Sequence, residues 1–236
     1  MLFLRSSIYT IGMWIFTPLF MTSALLIAPF PAVTRYKYIS TWAKTMLWWL
    51  RITCNLTYRI IGKENIPNHP SIILSKHQSA WETLAFQKIF PPQVWVLKRE
   101  LLWIPFFGWG LALTSPIAID RSAGREALKQ LVAHGKDRLK RGFWVVIFPE
   151  GTRIAPNMTS KFHIGGAWLA SHSQSTVVPV AHNAGEFWGK NSFTKKPGII
   201  TVSIGKTIDC KGLKPDAINS QVETWINAEM LALKQY

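Results

Sequence analysis

The arrangement in this chain best suited to chemistry is a histidine five positions before a carboxylate, in Lys76-His77-Gln78-Ser79-Ala80-Trp81-Glu82. An imidazole can take and return a proton near neutrality. A carboxylate hydrogen-bonded to one ring nitrogen holds the tautomer and leaves the other nitrogen as a general base. On a continuous helix a spacing of five turns two residues to different faces. His77 and Glu82 can therefore meet only if His77 stands in a loop and Glu82 in the first helical turn. Among acids the nearest alternatives, Glu64 and Glu100, are far along the chain. The same carboxylate has a second, structural use. Ser79-Ala80-Trp81-Glu82 fits the S-x-x-E capping box, which needs no catalysis. Spacing alone leaves both uses open. His69, His134, His172 and His182 read as incidental.

The elements around this pair follow from hydrophobic periodicity. Strands are predicted at Ser71–Leu74, Val94–Leu97, Pro116–Ile119, Phe143–Phe148, Thr176–Val180 and Gly198–Ile204. Helices are predicted at Ser79–Phe90, Ser122–Arg141, His163–Ser173 and Ala217–Lys234, the last with Ile218, Val222, Trp225, Ile226 and Met230 on one stripe. A broken helical stretch with Pro105, Gly108 and Gly110 follows the second strand. Strands alternating with helices point to an α/β domain with a mostly parallel or mixed sheet flanked by helices. His77 then sits at the C-terminal end of a strand, where such domains place their chemistry.

The amino-terminal region has a different character. No charged residue occurs between Ser6 and Thr34, and Ile8 to Phe30 could cross a hydrocarbon core of ~30 Å as a helix. Pro18, Pro29 and Pro31 interrupt the run, so the segment could bend and enter one leaflet without crossing. Arg35, Lys37, Lys44, Arg51, Arg59 and Lys63 follow with no acid before Glu64, interleaved with Tyr36, Tyr38, Trp42, Trp48 and Trp49. Cations among interfacial aromatics suit an anionic membrane surface, and packing into a core explains the same tryptophans. The expected division is a membrane-anchoring helical segment over 1–62 and an α/β domain over 63–236. The positive flank places that domain on the cytoplasmic face of the membrane.

Composition narrows the partners. A formal net charge of +15 over 236 residues calls for an anionic partner: acidic headgroups, phosphorylated substrates or nucleic acid. The apolar first segment favours the membrane. Cys54 and Cys210, the two cysteines, form no CxxC pattern, so disulfide, zinc and iron–sulfur frameworks are unsupported and no metal is expected. GxGxxG, the P-loop and the G-x-S-x-G elbow are absent.

A second motif, Phe148-Pro149-Glu150-Gly151-Thr152-Arg153, follows the most convincing buried strand. Together with His77 it resembles the glycerolipid acyltransferase family, the bacterial 1-acylglycerol-3-phosphate acyltransferases in particular, whose first motif is H-x4-D and third FPEGTR. Arg121 after Ile117-Ala118-Ile119-Asp120, and Val178-Pro179-Val180, resemble two further blocks. Lys98, ahead of Ile104-Pro105-Phe106-Phe107-Gly108, matches a phosphate-contacting lysine of the family. The likeness runs from about Lys76 to Val180. Two positions depart from it: Glu82 replaces the usual Asp, and Phe162-His163-Ile164-Gly165 stands where the family often has Phe-Lys-x-Gly.

The resemblance implies transfer of a fatty acyl group from a thioester, acyl-CoA or acyl carrier protein, to lysophosphatidic acid, with no cofactor. It implies His77 and Glu82 as the catalytic pair and Lys98, Arg121 and Arg153 on the acceptor phosphate. Glu150 and Gly151 shape the glycerol pocket, with Thr152 among the substrate-binding residues. The Leu101–Leu113 stretch is a candidate acyl groove, and backbone N–H groups at the helix start after His77 are candidates for the oxyanion. The bilayer is an expected partner and nucleic acid is not. Acylation of another lysophospholipid or an aminoacyl lipid, hydrolysis, and a non-enzymatic basic binder are the rival readings.

Overall fold

The structure is a computed structural model that describes residues 1–120 and 123–235. Its centre is a seven-stranded sheet: β1 (Leu56–Ile61), β2 (Ile72–Ser75), β3 (Gln93–Lys98), β4 (Ile117–Ile119), β5 (Trp144–Ile147), β6 (Val177–His182) and β7 (Gly198–Ile204). The spatial order is β1-β7-β6-β2-β5-β3-β4. Every neighbouring pair is parallel except β6 with β7. The expected mixed α/β sheet is therefore present.

Side chains on a strand alternate between faces, and this builds two cores. Ile73 and Val146 point toward α1 (Leu2–Ala24), α2 (Ala32–Cys54) and α3 (Trp81–Ile89). Ile72, Leu74, Val145 and Ile147 point the other way, toward α5 (Arg125–Lys140), α6 (Gly165–Ser173) and α8 (Pro215–Ala232). The remaining helices, α4 (Phe107–Leu113) and α7 (Ala184–Phe187), are short. The stripe expected on α8 does pack: Ile218, Val222 and Ile226 are buried, and Trp225 and Met230 flank them. For α5, the expected first residue, Ser122, lies outside the described residues.

Strand β1 is a correction. It falls inside the stretch 1–62 expected to be a membrane-anchoring helical segment, and it pairs with β7 from Leu56 to Ile61. Arg59 sits mid-strand on a half-buried edge, so the stretch lacks the apolar run that marks a buried strand. The sheet domain thus begins near Leu56.

The first two helices form a hairpin that turns at Leu25–Ile27 and at Pro29 and Pro31. Pro18 lies within α1 and does not end it. The span Leu2–Ile27 is long and apolar enough to cross a membrane. Only 11 % of its apolar window is buried, unlike the core helix of a soluble protein. Phe3, Leu4, Trp14, Leu19 and Leu26 are exposed. On α2, Trp42, Met46, Leu47 and Leu50 are buried, while Lys37, Lys44, Trp48 and Arg51 face outward. The hairpin packs closely: a methyl on Gly12 would collide with Trp49, and one on Gly110 of α4 with Met21 of α1.

Candidate active site

The C-terminal ends of β2 and β5 lie side by side in register, Leu74 against Ile147. The chain leaves β2 through Lys76–Ala80 and leaves β5 through Phe148–Arg153, so the two motifs meet at one sheet edge. His77 is in the loop and Glu82 in the first turn of α3. The geometric condition set by their spacing is met: His77 Nδ1 lies 2.7 Å from Glu82 Oε1. A carboxylate oxygen accepts, so Nδ1 carries the hydrogen and Nε2 is the basic nitrogen.

The capping and pairing uses of Glu82 turn out to be compatible. Its Oε1 also accepts the backbone N–H groups of Gln78 and Ser79, each at 2.9 Å, while Ser79 Oγ accepts the N–H of Trp81 at 3.0 Å. Glu82 is fully buried. Burial pushes its carboxyl up, but His182, His77 and the N–H donors outweigh it and hold the group below its usual range. The helix-start N–H groups of Gln78, Ser79 and Trp81 are therefore engaged, and they are not the oxyanion donors expected there.

His182, read as incidental, lies fully buried behind the pair. Its Nε2 is 2.9 Å from the Lys76 carbonyl and 3.9 Å from Glu82 Oε1. A carbonyl can only accept, so Nε2 carries the hydrogen, and Nδ1 accepts the N–H of Ala184 at 3.3 Å. Burial holds His182 below the ordinary imidazole range despite the pull of Glu82.

Glu150 is a correction. It was expected to shape the glycerol pocket, yet it is buried and does not line the cavity described below. One oxygen pairs with Lys76 Nζ and the other accepts the backbone N–H of His77 at 2.8 Å. The reason is topological, since the loop after β5 crosses directly beside the loop after β2. The neighbouring residues continue the scaffold. Ile154 N–H donates to the His77 carbonyl at 2.8 Å, and the Phe148 ring stacks on the imidazole at 3.8 Å and 8°. His77 is thus held through both its peptide groups and one ring face.

A cavity of ≈ 820 Å³ opens against His77. Its polar lining includes Lys98, Thr152, Arg153 and Lys190, with Gly151 in its wall. Lys98 and Arg153 make no ion pair among the described residues. Its apolar lining includes Leu101, Pro105, Phe106, Phe107 and Leu111, within the stretch expected to hold an acyl chain. Met13, Trp14 and Met21 of α1 and Trp42 of α2 complete it, so the helical hairpin is part of the pocket. Arg121, the remaining expected phosphate ligand, lies outside the described residues. Phe106 occupies a γ-turn: its φ is 60°, and the N–H of Phe107 bonds to the Pro105 carbonyl at 2.7 Å. His182, Lys190 and the α1 lining carried no motif or local period by which to find them.

Residues 57–183 match the model of the acyltransferase family. The chain is 47% identical to a 1-acyl-sn-glycerol-3-phosphate acyltransferase of Pseudomonas aeruginosa, over 89% of this chain and 83% of that one. It is 31% identical to the Saccharomyces cerevisiae enzyme of that name, over 74% of this chain and 59% of the relative. The chain belongs to the acyltransferase family. The fold agrees with the crystal structure of the 1-acyl-sn-glycerophosphate acyltransferase PlsC from Thermotoga maritima: TM-score 0.81, 22% identity, 99% of this chain and 96% of that one covered. The family region contains both motifs, their supports Glu150 and His182, and Arg153. Lys190 and the α1 wall of the pocket lie beyond its limits.

Proposed function

We propose that this acyltransferase moves a fatty acyl group from a thioester, acyl-CoA or acyl carrier protein, to the sn-2 hydroxyl of 1-acylglycerol-3-phosphate, making phosphatidic acid. The observation that carries the reading is a buried carboxylate 2.7 Å from His77 Nδ1, beside a cavity lined by both cations and apolar side chains. Lysophosphatidic acid has the same polarity: a phosphate, a free hydroxyl and a hydrocarbon tail.

In this mechanism His77 Nε2 accepts the proton of the acceptor hydroxyl as its oxygen attacks the thioester carbonyl carbon. The C–O bond forms and the carbonyl electrons move to oxygen. Collapse of the tetrahedral intermediate breaks the C–S bond, and the imidazolium returns the proton to the leaving thiolate. Glu82 stays ionised and stabilises the imidazolium. Such proton transfer contributes ~10²–10⁴-fold. Glu150, Phe148 and Ile154 keep the imidazole from turning, which protects the geometry the transfer needs. Lys98 and Arg153, with Arg121, bind the phosphate; an arginine fork matches its oxygens in pairs. The steps use only side chains and the two substrates.

The exposed apolar face of α1 embeds in the bilayer and delivers both lipids to the pocket laterally. Its first turns dock on Lys195 and its last turns approach α4, so both ends stay on the domain. A crossing helix would carry one end away. This supports entry into one leaflet, and the outward cations Lys37, Lys44 and Arg51 support a cytoplasmic side for the domain.

The test compares lysophosphatidic acid, lysophosphatidylcholine and monoacylglycerol as acceptors for full-length enzyme in vesicles, with both donors. His77→Ala should lower turnover ~10²–10⁴-fold while the melting temperature stays close to wild type. Arg153→Ala should raise the KM for lysophosphatidic acid and narrow its advantage over monoacylglycerol. A folded His77→Ala enzyme with near-normal turnover defeats the mechanism, and equal use of the three acceptors by the wild type defeats the substrate.

A further inference from the structure

The polar rim of the cavity continues past the family region, on the loop from Trp188 to Pro197 between α7 and β7. Trp188, Lys190 and Asn191 line the cavity. Lys190 is exposed, and its Nζ stands 3.5 Å from Thr152 Oγ1, one residue from Arg153. Asn191 has a φ of 58°, left-handed backbone that few residues other than Gly and Asn adopt readily. The turn presenting Lys190 is thus a defined conformation.

The far end of the loop is clamped by α1. Lys195 is 3% exposed, a rare position for lysine. Its backbone N–H donates to Ser6 Oγ at 2.9 Å, and its Nζ donates to Thr10 Oγ1 at 3.1 Å and to the Phe193 carbonyl at 2.8 Å. The ammonium lies 5.1 Å from each of three ring centroids, those of Tyr9, Trp188 and Phe193. Tyr9 meets Trp188 edge-on at 5.5 Å. No carboxylate pairs with this ammonium among the described residues. An ammonium withdrawn from water needs such a set of rings and oxygens, and one hydroxyl and one ring of that set, those of Thr10 and Tyr9, belong to α1, while Ser6 of the same helix holds the Lys195 backbone. Loop and helix therefore hold one another in place, and Trp188 joins the clamp to the cavity wall.

We propose that residues 188–195 form a strap, locked by α1 through Lys195, that holds Lys190 as a further cation for the acceptor's phosphate. The proposal rests on the lysophosphatidate reading above. A phosphomonoester carries close to two charges at neutral pH. Arg153 can pair with two of its oxygens, and Lys190, reaching the same turn, meets the outward one as a compact charge. Lys195 is a positioning residue: it touches no substrate and acts through the strap. Seating of α1 thereby sets the affinity for a lipid acceptor.

The experiment uses full-length enzyme in vesicles of stated lipid composition, with lysophosphatidic acid and monoacylglycerol as acceptors and an acyl-CoA as donor. Lys190→Ala should raise the KM for lysophosphatidic acid about tenfold, the scale of one charge-assisted hydrogen bond, with kcat changing far less. The KM for monoacylglycerol should not follow, and Lys190→Arg should recover most of the loss. Lys195→Met should raise the same KM, and the double variant should add little, because both act through one cation. An unchanged KM in Lys190→Ala overturns the proposal. So does a rise shared by monoacylglycerol, a rise in the donor's KM instead, or full additivity in the double variant. Lys190 is at the surface, so its arm reads out whether or not Lys195→Met folds; Thr10→Val then tests the lock by a milder route. A wild type without preference for lysophosphatidic acid sinks the functional reading itself. A selective wild type with a silent Lys190→Ala sinks only the strap.

Discussion

Replacing Glu82 by Gln separates charge from shape. The carboxylate oxygen Oε1 accepts three hydrogens, from His77 Nδ1 at 2.7 Å and from the N–H groups of Gln78 and Ser79 at 2.9 Å. A glutamine oxygen in the same place still accepts them, so cap and tautomer survive. The attraction between a negative Glu82 and the imidazolium is lost. Unit charges at this separation attract by roughly 6 kcal/mol at an effective dielectric of about 20. Partial contact of His77 with solvent and the neutral hydrogen bond that remains reduce the net loss to roughly 3 kcal/mol, or about 10²-fold in kcat. The second oxygen of Glu82 is buried without a hydrogen-bond partner, so the amide NH₂ replacing it would also lack one, at a cost of about 1–2 kcal/mol. That corresponds to a fall of roughly 2–8 °C in melting temperature for a chain of this size. The assay pairs single-turnover acyl transfer with thermal melting in detergent. A Gln variant that melts as expected yet keeps full turnover would show that Glu82 is a helix cap and nothing more.

Three further outcomes follow from the same geometry. His182 faces Glu82, Lys76 and His77, and its folded pKa lies below the ordinary 6.5 of the unfolded chain. The unfolded state therefore binds a proton that the fold does not, and stability falls as pH drops through about 6.5. His182→Gln should flatten the wild-type loss of melting temperature between about pH 7.5 and 5.5, and two parallel curves would contradict this assignment. Glu82 has the opposite-charge form of the effect: its stabilisation is complete above the unfolded value of 4.5 and is lost as pH falls through the depressed folded value. The wild-type advantage over Glu82→Gln should thus shrink below about pH 4.5, and a constant gap in melting temperature would refute it. Full-length protein should stay with membranes through high-salt and alkaline washes, which strip proteins held by charge alone; complete release would refute an embedded α1.

What could be read from sequence was what repeats or clusters locally. His77, Glu82 and the Phe148–Arg153 motif are short windows, and the buried runs of β2, β5 and β6 and the stripe of α8 are local periods of burial. The apolar length of α1 needs no partner to be visible. The half-buried edge strand β1 escaped because an edge lacks an uninterrupted apolar run. Glu150 was legible as a motif residue but not as a brace, since the His77 peptide it holds is 73 positions away. His182 reaches Lys76 across 106 positions and Lys195 reaches Ser6 across 189. Contacts at such separation leave no period in the sequence, because each residue's local pattern reports whether it is buried and not against what. Residue types and local spacing determined the His77–Glu82 pair and the sheet that carries it. The brace on the base, the hairpin wall of the pocket and the strap that ties α1 to Lys190 were decided by the parallel strand order and the docking of α1, which bring distant loops to one edge.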